Sequence, residues 1–214
     1  MTNKNINRLV VGQVATNCWI YPVSENEAAV IDPGDEAQKI ISALKKLSLT
    51  PKYILLTHGH FDHILALPVL KETYKESQIA IHRLDSEYLG KDAYKAHSLS
   101  IKAATGSSSL IDTLWKELPE PDFLLDDGFT AGPFTVLHVP GHTPGSAAFF
   151  DKEAGVIFTG DTLFKSGYGR TDLPGGNNSE MYTSLQRLFA MDGNIAVYPG
   201  HGGETTIGRE AGRQ

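Results

Sequence analysis

Short apolar runs separated by turn residues dominate the pattern of hydrophobic and polar positions along the chain. Runs of this length that are rich in apolar and β-branched residues and bounded by Gly, Pro, Asn or Ser are typical of strands. The pattern predicts strands at 8–11, 17–21, 28–31, 53–56, 79–81, 134–139, 147–150, 156–159 and 195–198.

Three longer segments carry apolar residues at helical spacing. In the first segment Ile40 and Leu44 fall on one face, and Asp35 stands where a capping residue is expected. The second begins near Leu67, because Pro68 is tolerated only in the first turn of a helix. These patterns predict helices at 35–47, 67–75 and 179–190.

The segment 90–121 shows no clear period. Gly106 and the three serines after it predict a flexible turn, and 111–117 is a candidate short helix. We interpret the segment as a junction or a lid. On both sides of it strands come first and helix–strand units follow. The mixture predicts sheets covered by helices, an α/β or α+β layered fold in one domain spanning 1–214.

Composition and charge narrow the class of protein. Hydrophobic residues make up 41% and charged residues 21%, as in an ordinary globular protein. The formal net charge of −6 argues against nucleic-acid binding, which needs clustered Lys and Arg. A small anionic substrate stays possible, because a bound metal would reverse the local field.

Cysteine usage and hydropathy bear on the compartment. Cys18 is the only cysteine, so no intramolecular disulfide can form, and we expect it to be a small buried hydrophobe. No apolar run approaches the roughly 20 residues that span a bilayer, and no secretory h-region is visible. We therefore expect a cytoplasmic protein without a membrane partner.

Four predicted strands end in loops that carry histidine or aspartate. The loop after 53–56 reads THGHFDH, and the strands at 134–139, 156–159 and 195–198 lead into PGH, GD and PGH. Ligand sites in sheet-based α/β folds gather beyond strand ends. A glycine precedes several of these residues, as a crowded centre would require. The candidate metal ligands are His58, His60, Asp62, His63, His142, Asp161 and His201.

The types of side chain select the metal. Imidazole and carboxylate without thiolate suit zinc, and also iron or manganese. Five histidines and two aspartates exceed what one ion uses, but match two ions if one carboxylate bridges them. His82, His97 and His138 lack this context, and we expect them to be structural, surface or supporting residues.

At these residues the chain resembles the metallo-β-lactamase superfamily. The resemblance rests on THGHFDH at 57–63, His142 in PGHTPGS, Asp161 in FTGDTLF and His201 in YPGH. Within the superfamily the chain looks most like the glyoxalase II-like, or hydroxyacylglutathione hydrolase-like, enzymes. The resemblance implies a four-layer αβ/βα sandwich with the metals at one sheet edge.

The resemblance also implies a role for each ligand. His58, His60 and His142 would hold a first divalent ion, Asp62, His63 and His201 a second, and Asp161 would bridge. The catalytic contribution of Asp62 and Asp161 would act through a hydroxide shared by the two ions, with zinc the expected metal.

The implied activity is hydrolysis of S-acyl thioesters such as S-lactoylglutathione. A thiolate leaves without a dedicated acid, because the pKa of a free thiol is only about 8.5. Thirteen residues follow His201, whereas glyoxalase II proper carries a further helical region that helps to bind glutathione. Another thioester or ester therefore fits as well.

Other functions stay open. Persulfide dioxygenases share the fold but use one iron through two His and one Asp, and lactonases or β-lactamase-like hydrolases are a further alternative. The acidic charge disfavours a phosphodiesterase or nuclease. A non-catalytic module would be expected to lose ligands, and none is lost. We expect a small-molecule thioester or ester as partner, and a monomer or small homo-oligomer.

The loop 167–172 follows the predicted bridging residue. An ion pair between Arg170 and Asp172 would fix its shape. Phe164, Tyr168 and Arg170 are candidate substrate-binding residues bordering the pocket.

Overall fold

Two six-stranded sheets form the centre of the molecule. The structure, a computed structural model, describes residues 5–213, so residues 1–4 and 214 of the predicted domain lie outside the described residues. The strands of the first sheet lie side by side in chain order: β1 (Asn7–Val11), β2 (Thr16–Pro22), β3 (Glu27–Ile31), β4 (Thr50–Leu55), β5 (Gln78–His82) and β6 (Phe123–Leu125).

The second sheet is built from the second half of the chain. Its strands follow the order β14-β13-β10-β9-β8-β7, while β11 and β12 form a separate hairpin. The elements are β7 (Thr130–Ala131), β8 (Phe134–His138), β9 (Ala147–Asp151), β10 (Val156–Gly160), β11 (Leu163–Phe164), β12 (Gly167–Tyr168), β13 (Ala196–Pro199) and β14 (Thr205–Thr206).

The two sheets have related topologies. In each, antiparallel neighbours come first, β1 to β3 and β7 to β10. Parallel pairs follow, β3–β4–β5–β6 in the first sheet and β10–β13 in the second. The similar order of elements predicted for the two halves is therefore present, and all nine predicted strands are found with ends shifted by at most three residues.

The helices are α1 (Ala37–Lys46), α2 (Leu67–Thr73), α3 (Tyr94–Thr105), α4 (Ser109–Leu114), α5 (Asn178–Phe189) and α6 (Ile207–Ala211), with short 3-10 helices at Phe61–His63 and Arg83–Tyr88. Two helices pack on the outer face of each sheet, α1 and α2 on the first and α5 and α6 on the second, while α3 packs against α4 and the 3-10 helix Arg83–Tyr88.

Alternation along the strands produces the layers. In β2, Cys18 and Ile20 pack on the side of α1 and α2, whereas Trp19 and Tyr21 face the second sheet. The core between the sheets is rich in aromatic residues, and a third cluster joins the second sheet to α5 and α6. This order of helix, sheet, sheet and helix confirms the predicted four-layer αβ/βα sandwich, and Cys18 is the buried hydrophobe that we expected.

The segment 90–121 is more regular than predicted. Instead of an irregular junction it forms α3 and α4, and the second of these begins two residues before the predicted helix. The buried residues of α3 are His97, Ser100 and Ile101, only one of them apolar, so a search for apolar periodicity misses the helix. Gly106, at φ +83°, ends α3 where we expected a turn.

The remaining differences concern helix ends and short elements. Asp35 does not cap α1, because its carboxylate accepts from Glu36, which precedes the helix in the left-handed region at φ +50°. The short elements β6, β7, β11, β12, β14 and α6 were not predicted. None of the helices within residues 5–213 has the length and apolar character needed to cross a membrane.

Candidate metal centre

Histidine or aspartate side chains follow four strands at one edge of the paired sheets. These strands are β4, β8, β10 and β13. The loop after β4 enters the 3-10 helix Phe61–His63, and the loops after β8, β10 and β13 carry His142, Asp161 and His201. An isolated bridge between Thr16 and His201 joins the sheets at this edge.

All seven predicted ligands belong to one cluster. It contains three groups in which one potential ligand atom of each member lies within 4.8 Å of the others. The groups are His58, His60 and His142; His58, His63 and Asp161; and Asp62, His63 and His201.

The first candidate ligand set consists of His58, His60 and His142. The Nδ1 atom of His60 lies 2.8 Å from Nε2 of His142. The ring of His58 stands edge-on to the other two, with centroid distances of 4.9 Å to His60 and 4.8 Å to His142. All three side chains are buried.

The second ligand set consists of Asp62, His63 and His201. Oδ2 of Asp62 lies 3.4 Å from Nε2 of His63 and 3.4 Å from Nε2 of His201. The two imidazole Nε2 atoms are 3.4 Å apart.

Asp161 lies between the two sets. Its Oδ1 atom is 3.5 Å from Nε2 of His63, and its Oδ2 atom is 3.5 Å from Nε2 of His201 and 3.7 Å from Nε2 of His142. One carboxylate thus reaches ligand nitrogens of both sets, as the proposed bridging position requires.

Unpartnered polar atoms show that this cluster fits metal ions. The Nε2 atoms of His58 and His60 and Oδ1 of Asp161 are buried, and each lacks a hydrogen-bond partner among the described residues. Such atoms are costly to bury unless something else satisfies them. Imidazole and carboxylate donors without thiolate match a divalent cation.

The electrostatics favour unprotonated ligands in the first set. Burial and the neighbouring imidazoles lower the pKa of His58 and of His60 well below the ordinary value, so both rings are neutral near pH 7. A neutral imidazole is the form that coordinates a metal.

In the second set, opposite charges dominate. Burial alone would lower the pKa of His63, but Asp62, Asp161 and Asp32 raise it to about 10. Burial alone would raise the pKa of Asp62, but His63 and His201 hold it well below its usual range. The carboxylates beside these rings therefore attract positive charge, which a bound cation would supply.

Residues outside the predicted set orient the ligands. Oδ2 of Asp32 lies 3.0 Å from Nδ1 of His63, and Asp32 also accepts from the backbone N–H and the hydroxyl of Thr57. The Nδ1 atom of His142 lies 2.7 Å from the carbonyl oxygen of Arg170. Contacts of this kind fix the tautomer and direct the other nitrogen toward a metal.

Sequence reasoning missed these supports. Asp32 directly follows the strand β3, so the strand-end criterion applied to the other residues would have found it. The backbone carbonyl of Arg170 leaves no signal in a sequence. Thr16, whose hydroxyl donates to Oδ2 of Asp62 at 2.9 Å, and the buried Asp85 were missed as well.

Glycines beside the ligands allow the close approach that we predicted. A Cβ atom at Gly200 would overlap Oδ1 of Asp161 and lie 2.8 Å from the ring of His63. Gly160 has φ +50°, and a Cβ there would overlap the side chain of Thr57. A larger residue at either position would displace a ligand or its support.

The candidate substrate residues occupy different positions. The ring of Phe164 stands edge-on to His201 at a centroid distance of 6.0 Å. The guanidinium of Arg170 forms the expected pair with Asp172, through two contacts of 2.7 Å, and is exposed. Tyr168 lines a cavity of about 470 Å³ between the hairpin, α5 and α6, and none of the candidate ligands lines that cavity.

The three remaining histidines have structural surroundings. His82 and His138 stack with a centroid distance of 4.1 Å where β5 and β8 end. His97 is buried in α3, and its Nε2 atom lies 2.9 Å from the carbonyl oxygen of Tyr88. None of the three belongs to the ligand groups found among the described residues.

The fold and the site agree with the family that the sequence resembles. The family model described as the Metallo-beta-lactamase superfamily matches residues 11–201. The chain belongs to the metallo-β-lactamase superfamily. It is a hydrolase of that superfamily, whose cluster of histidines and aspartates implies divalent metal ions.

Individual relatives extend over nearly the whole chain. Hydroxyacylglutathione hydrolase GloC from Haemophilus influenzae is 37% identical over 96% of this chain and 94% of its own length. Among solved structures, TTHA1623 in a di-iron-bound form is 35% identical with a TM-score of 0.82, covering 96% of both chains. The B3 metallo-beta-lactamase BLEG-1 is 32% identical with a TM-score of 0.82, covering 96% of this chain and 95% of its own.

Proposed function

We propose that this protein is a binuclear metal-dependent thioesterase that hydrolyses hydroxyacylglutathione-type thioesters such as S-lactoylglutathione. The observation that carries the proposal is the position of Asp161 between two complete ligand sets. The similarity to GloC over almost the full length of both chains supports the substrate class.

The ligand sets define what each residue does. His58, His60 and His142 would hold one ion, Asp62, His63 and His201 the other, and Asp161 would serve both. When bound, such a pair of divalent ions lowers the pKa of water and polarises a substrate carbonyl; zinc is the expected metal, with iron or manganese as alternatives.

The residues of the site determine which groups can act as acids in the proposed reaction. Asp62 stays ionised, because His63 and His201 lower its pKa, so it serves as a ligand and not as an acid. No separate acid is needed for a thiolate leaving group, whose conjugate thiol has a pKa of about 8.5. This favours a thioester over an ester with an alkoxide leaving group.

We propose that the loop after Asp161 forms one side of the substrate-binding pocket. Phe164 borders His201 and would pack against the acyl part of the substrate. Arg170 is exposed at the same loop, and its guanidinium would attract the anionic glutathione part. Tyr168 faces the cavity on the other side of the hairpin, so we propose a smaller role for it in substrate binding.

A substrate panel combined with elemental analysis tests the proposal. Purified protein is offered S-lactoylglutathione, a lactone, a β-lactam and a phosphodiester; thiol release is followed for the thioester, and loss of substrate for the other three. We expect about two metal ions per chain and the highest kcat/KM for the thioester. A protein that carries two ions but releases no thiol from S-lactoylglutathione would contradict the proposal.

Two alternatives are outcomes of the same experiment. The similarity to the B3 metallo-beta-lactamase BLEG-1 favours β-lactam hydrolysis as the second candidate, and preference for the β-lactam would establish it. One iron per chain with oxygen consumption would instead indicate a dioxygenase.

The setting of the reaction is also proposed. We propose a small-molecule thioester or ester as the partner, with neither nucleic acid nor membrane required. We propose a cytoplasmic location, because the single cysteine Cys18 is buried and the fold uses no disulfide.

A further inference from the structure

Asp85 is a completely buried carboxylate outside both ligand sets. It lies in the 3-10 helix Arg83–Tyr88, which follows β5 in the first sheet. Burying a carboxylate is costly unless hydrogen bonds compensate, so its contacts indicate what it does.

The contacts of Asp85 go to two separate loops. Oδ2 accepts from the backbone N–H of Gly59 at 2.9 Å and from the hydroxyl of Thr143 at 2.7 Å. Oδ1 accepts from the backbone N–H of Gly145 at 2.7 Å. Three donors converge on one carboxylate, which is a geometry that fixes the donors relative to each other.

These loops are the ones that supply the first ligand set. Gly59 stands between His58 and His60 in the loop after β4, and Thr143 follows His142 in the loop after β8. Asp85 therefore links a loop of the first sheet to a loop of the second at the point where their histidines meet.

The packing around Asp85 leaves little freedom. A Cβ atom at Gly145 would lie 2.5 Å from Oδ1 of Asp85, so this approach depends on glycine. Thr143 is held in addition by Ser146, whose Oγ lies 2.8 Å from the threonine hydroxyl and accepts from the threonine N–H at 3.0 Å.

The second ligand set has other supports. Asp62 accepts from Thr16, and His63 contacts Asp32. We propose that Asp85 is a positioning residue that sets the spacing of His58, His60 and His142, and thereby the affinity of the first set alone. The inference rests on the ligand assignment of the proposed function.

The variant Asp85→Asn tests this inference. Asparagine keeps the volume but turns one acceptor into a donor, which must face an N–H or O–H group. Zinc is titrated against a chromophoric chelator, which resolves the two binding steps. We expect the dissociation constant of the first set to rise about 10–100-fold, the usual effect of removing a group that supports metal ligands, while the second set stays unchanged.

Double variants assign the effect to one set. In a His201→Ala background, where the second set is broken, Asp85→Asn should raise the dissociation constant of the remaining ion by the same factor. In a His58→Ala background, where the first set is already broken, it should have no further effect. Equal weakening of zinc in both backgrounds would overturn the inference.

Asp151 offers a matched control. Its carboxylate is buried and accepts from the hydroxyl of Tyr21 and the N–H of Ala154, away from the ligand cluster. Asp151→Asn should lower thermal stability without changing either zinc affinity. A control that weakens the first set as much as Asp85→Asn would show a general effect of lost stability and would overturn the inference.

A milder pair of variants covers the case in which Asp85→Asn does not fold. Thr143→Val removes the hydroxyl that donates to Asp85, and Thr143→Ser keeps it. Only the valine variant should weaken the first set. Wild-type protein with two ions and a valine variant with unchanged affinities would refute the role of Asp85, whereas wild-type protein that binds fewer than two ions would refute the ligand assignment and this inference with it.

Discussion

Asp161 differs from the other candidate ligands because its one carboxylate lies close to both sets. On the proposed assignment, each other member of the cluster belongs to one set, whereas Asp161 lies within 3.7 Å of imidazole nitrogens in both. The consequence of replacing it therefore separates a shared centre from two independent sites.

We expect Asp161→Ala to lose both ions, because one carboxylate serves both sets. Metal content should fall well below one ion per chain, and turnover of the thioester by more than about 100-fold. Asp192→Ala, which removes an exposed carboxylate, is the control. Full metal content and activity in Asp161→Ala would refute the assignment.

His82 gives a prediction about pH. Burial, and then the adjacent ring of His138, lower the pKa of His82 to about 4, against about 6.5 in an unfolded chain. The unfolded chain therefore binds the proton first. The stability contributed by neutral His82 is complete above pH 6.5 and is lost as the pH falls toward 4.

The variant His82→Asn removes this titration but keeps an acceptor for the N–H of Leu84. In the presence of a chelator, the free energy of unfolding of the wild type should fall by about 2 kcal/mol more than that of the variant between pH 7.5 and pH 5. Urea titrations at both values measure the difference, and turnover at pH 7.5 should stay nearly unchanged. Equal pH dependence would contradict the prediction.

At the residue scale, functional residues that directly follow strands can be predicted from the sequence. Residues whose role depends on contacts with distant parts of the chain cannot. The seven ligands carry local signals, a spacing of His and Asp directly after apolar runs. Asp85 follows its strand at a distance of three residues, and its partners Gly59 and Thr143 are remote in sequence. Only the packing of two sheets brings them together.

Among the elements, the hairpin of β11 and β12 has the most direct bearing on the site. One strand carries Phe164 beside His201, and the turn contains Ser166 at φ +69°. The carboxylate of Glu210, buried in α6, accepts from the N–H of Ser166 and from the hydroxyl of Thr205. The last helix thus holds the hairpin in place.

We expect Glu210→Gln to loosen the hairpin, because an amide cannot accept both hydrogen bonds as the carboxylate does. KM for the thioester should rise several-fold while kcat changes little, and the free energy of unfolding should fall by about 1–3 kcal/mol. Steady-state kinetics and urea unfolding measure the two effects. The exposed Glu204→Gln is the control, and identical kinetics in the two variants would count against this role of α6.

Strands and helices could be predicted from the sequence where their buried positions are apolar and recur with the spacing of a strand or a helix. Strands such as β10, buried along all five residues, have continuous apolar sequences, and α5 has a clear apolar face. In α3, the inward side chains include His97 and Ser100, which hydrogen-bond to Tyr88. A polar inward face has no hydrophobic period, so the sequence alone favoured a loop.

At the scale of the whole molecule, each ligand set combines residues from both halves. The loop after β4 supplies two members of each set, and the second half supplies His142 or His201. Metal binding is therefore coupled to the packing of the two sheets.

Removal of metal should consequently destabilise the entire fold. An ion that binds only the native state stabilises it by about 4 kcal/mol at a concentration 1,000 times its dissociation constant. We expect chelation to lower the melting temperature by several degrees and zinc to restore it, as measured by calorimetry. A melting temperature that is the same with chelator and with zinc would contradict this coupling.

The division of each ligand set between the halves also constrains biosynthesis. While the ribosome is still translating the segment between Asp62 and His142, the emerging polypeptide offers a cation at most the partial sites of the THGHFDH loop. The second set stays incomplete until His201 has been added to the polypeptide and has left the exit tunnel. On the proposed assignment, a truncated product that stops before His201 lacks one ligand of the second set, so we expect it to be inactive.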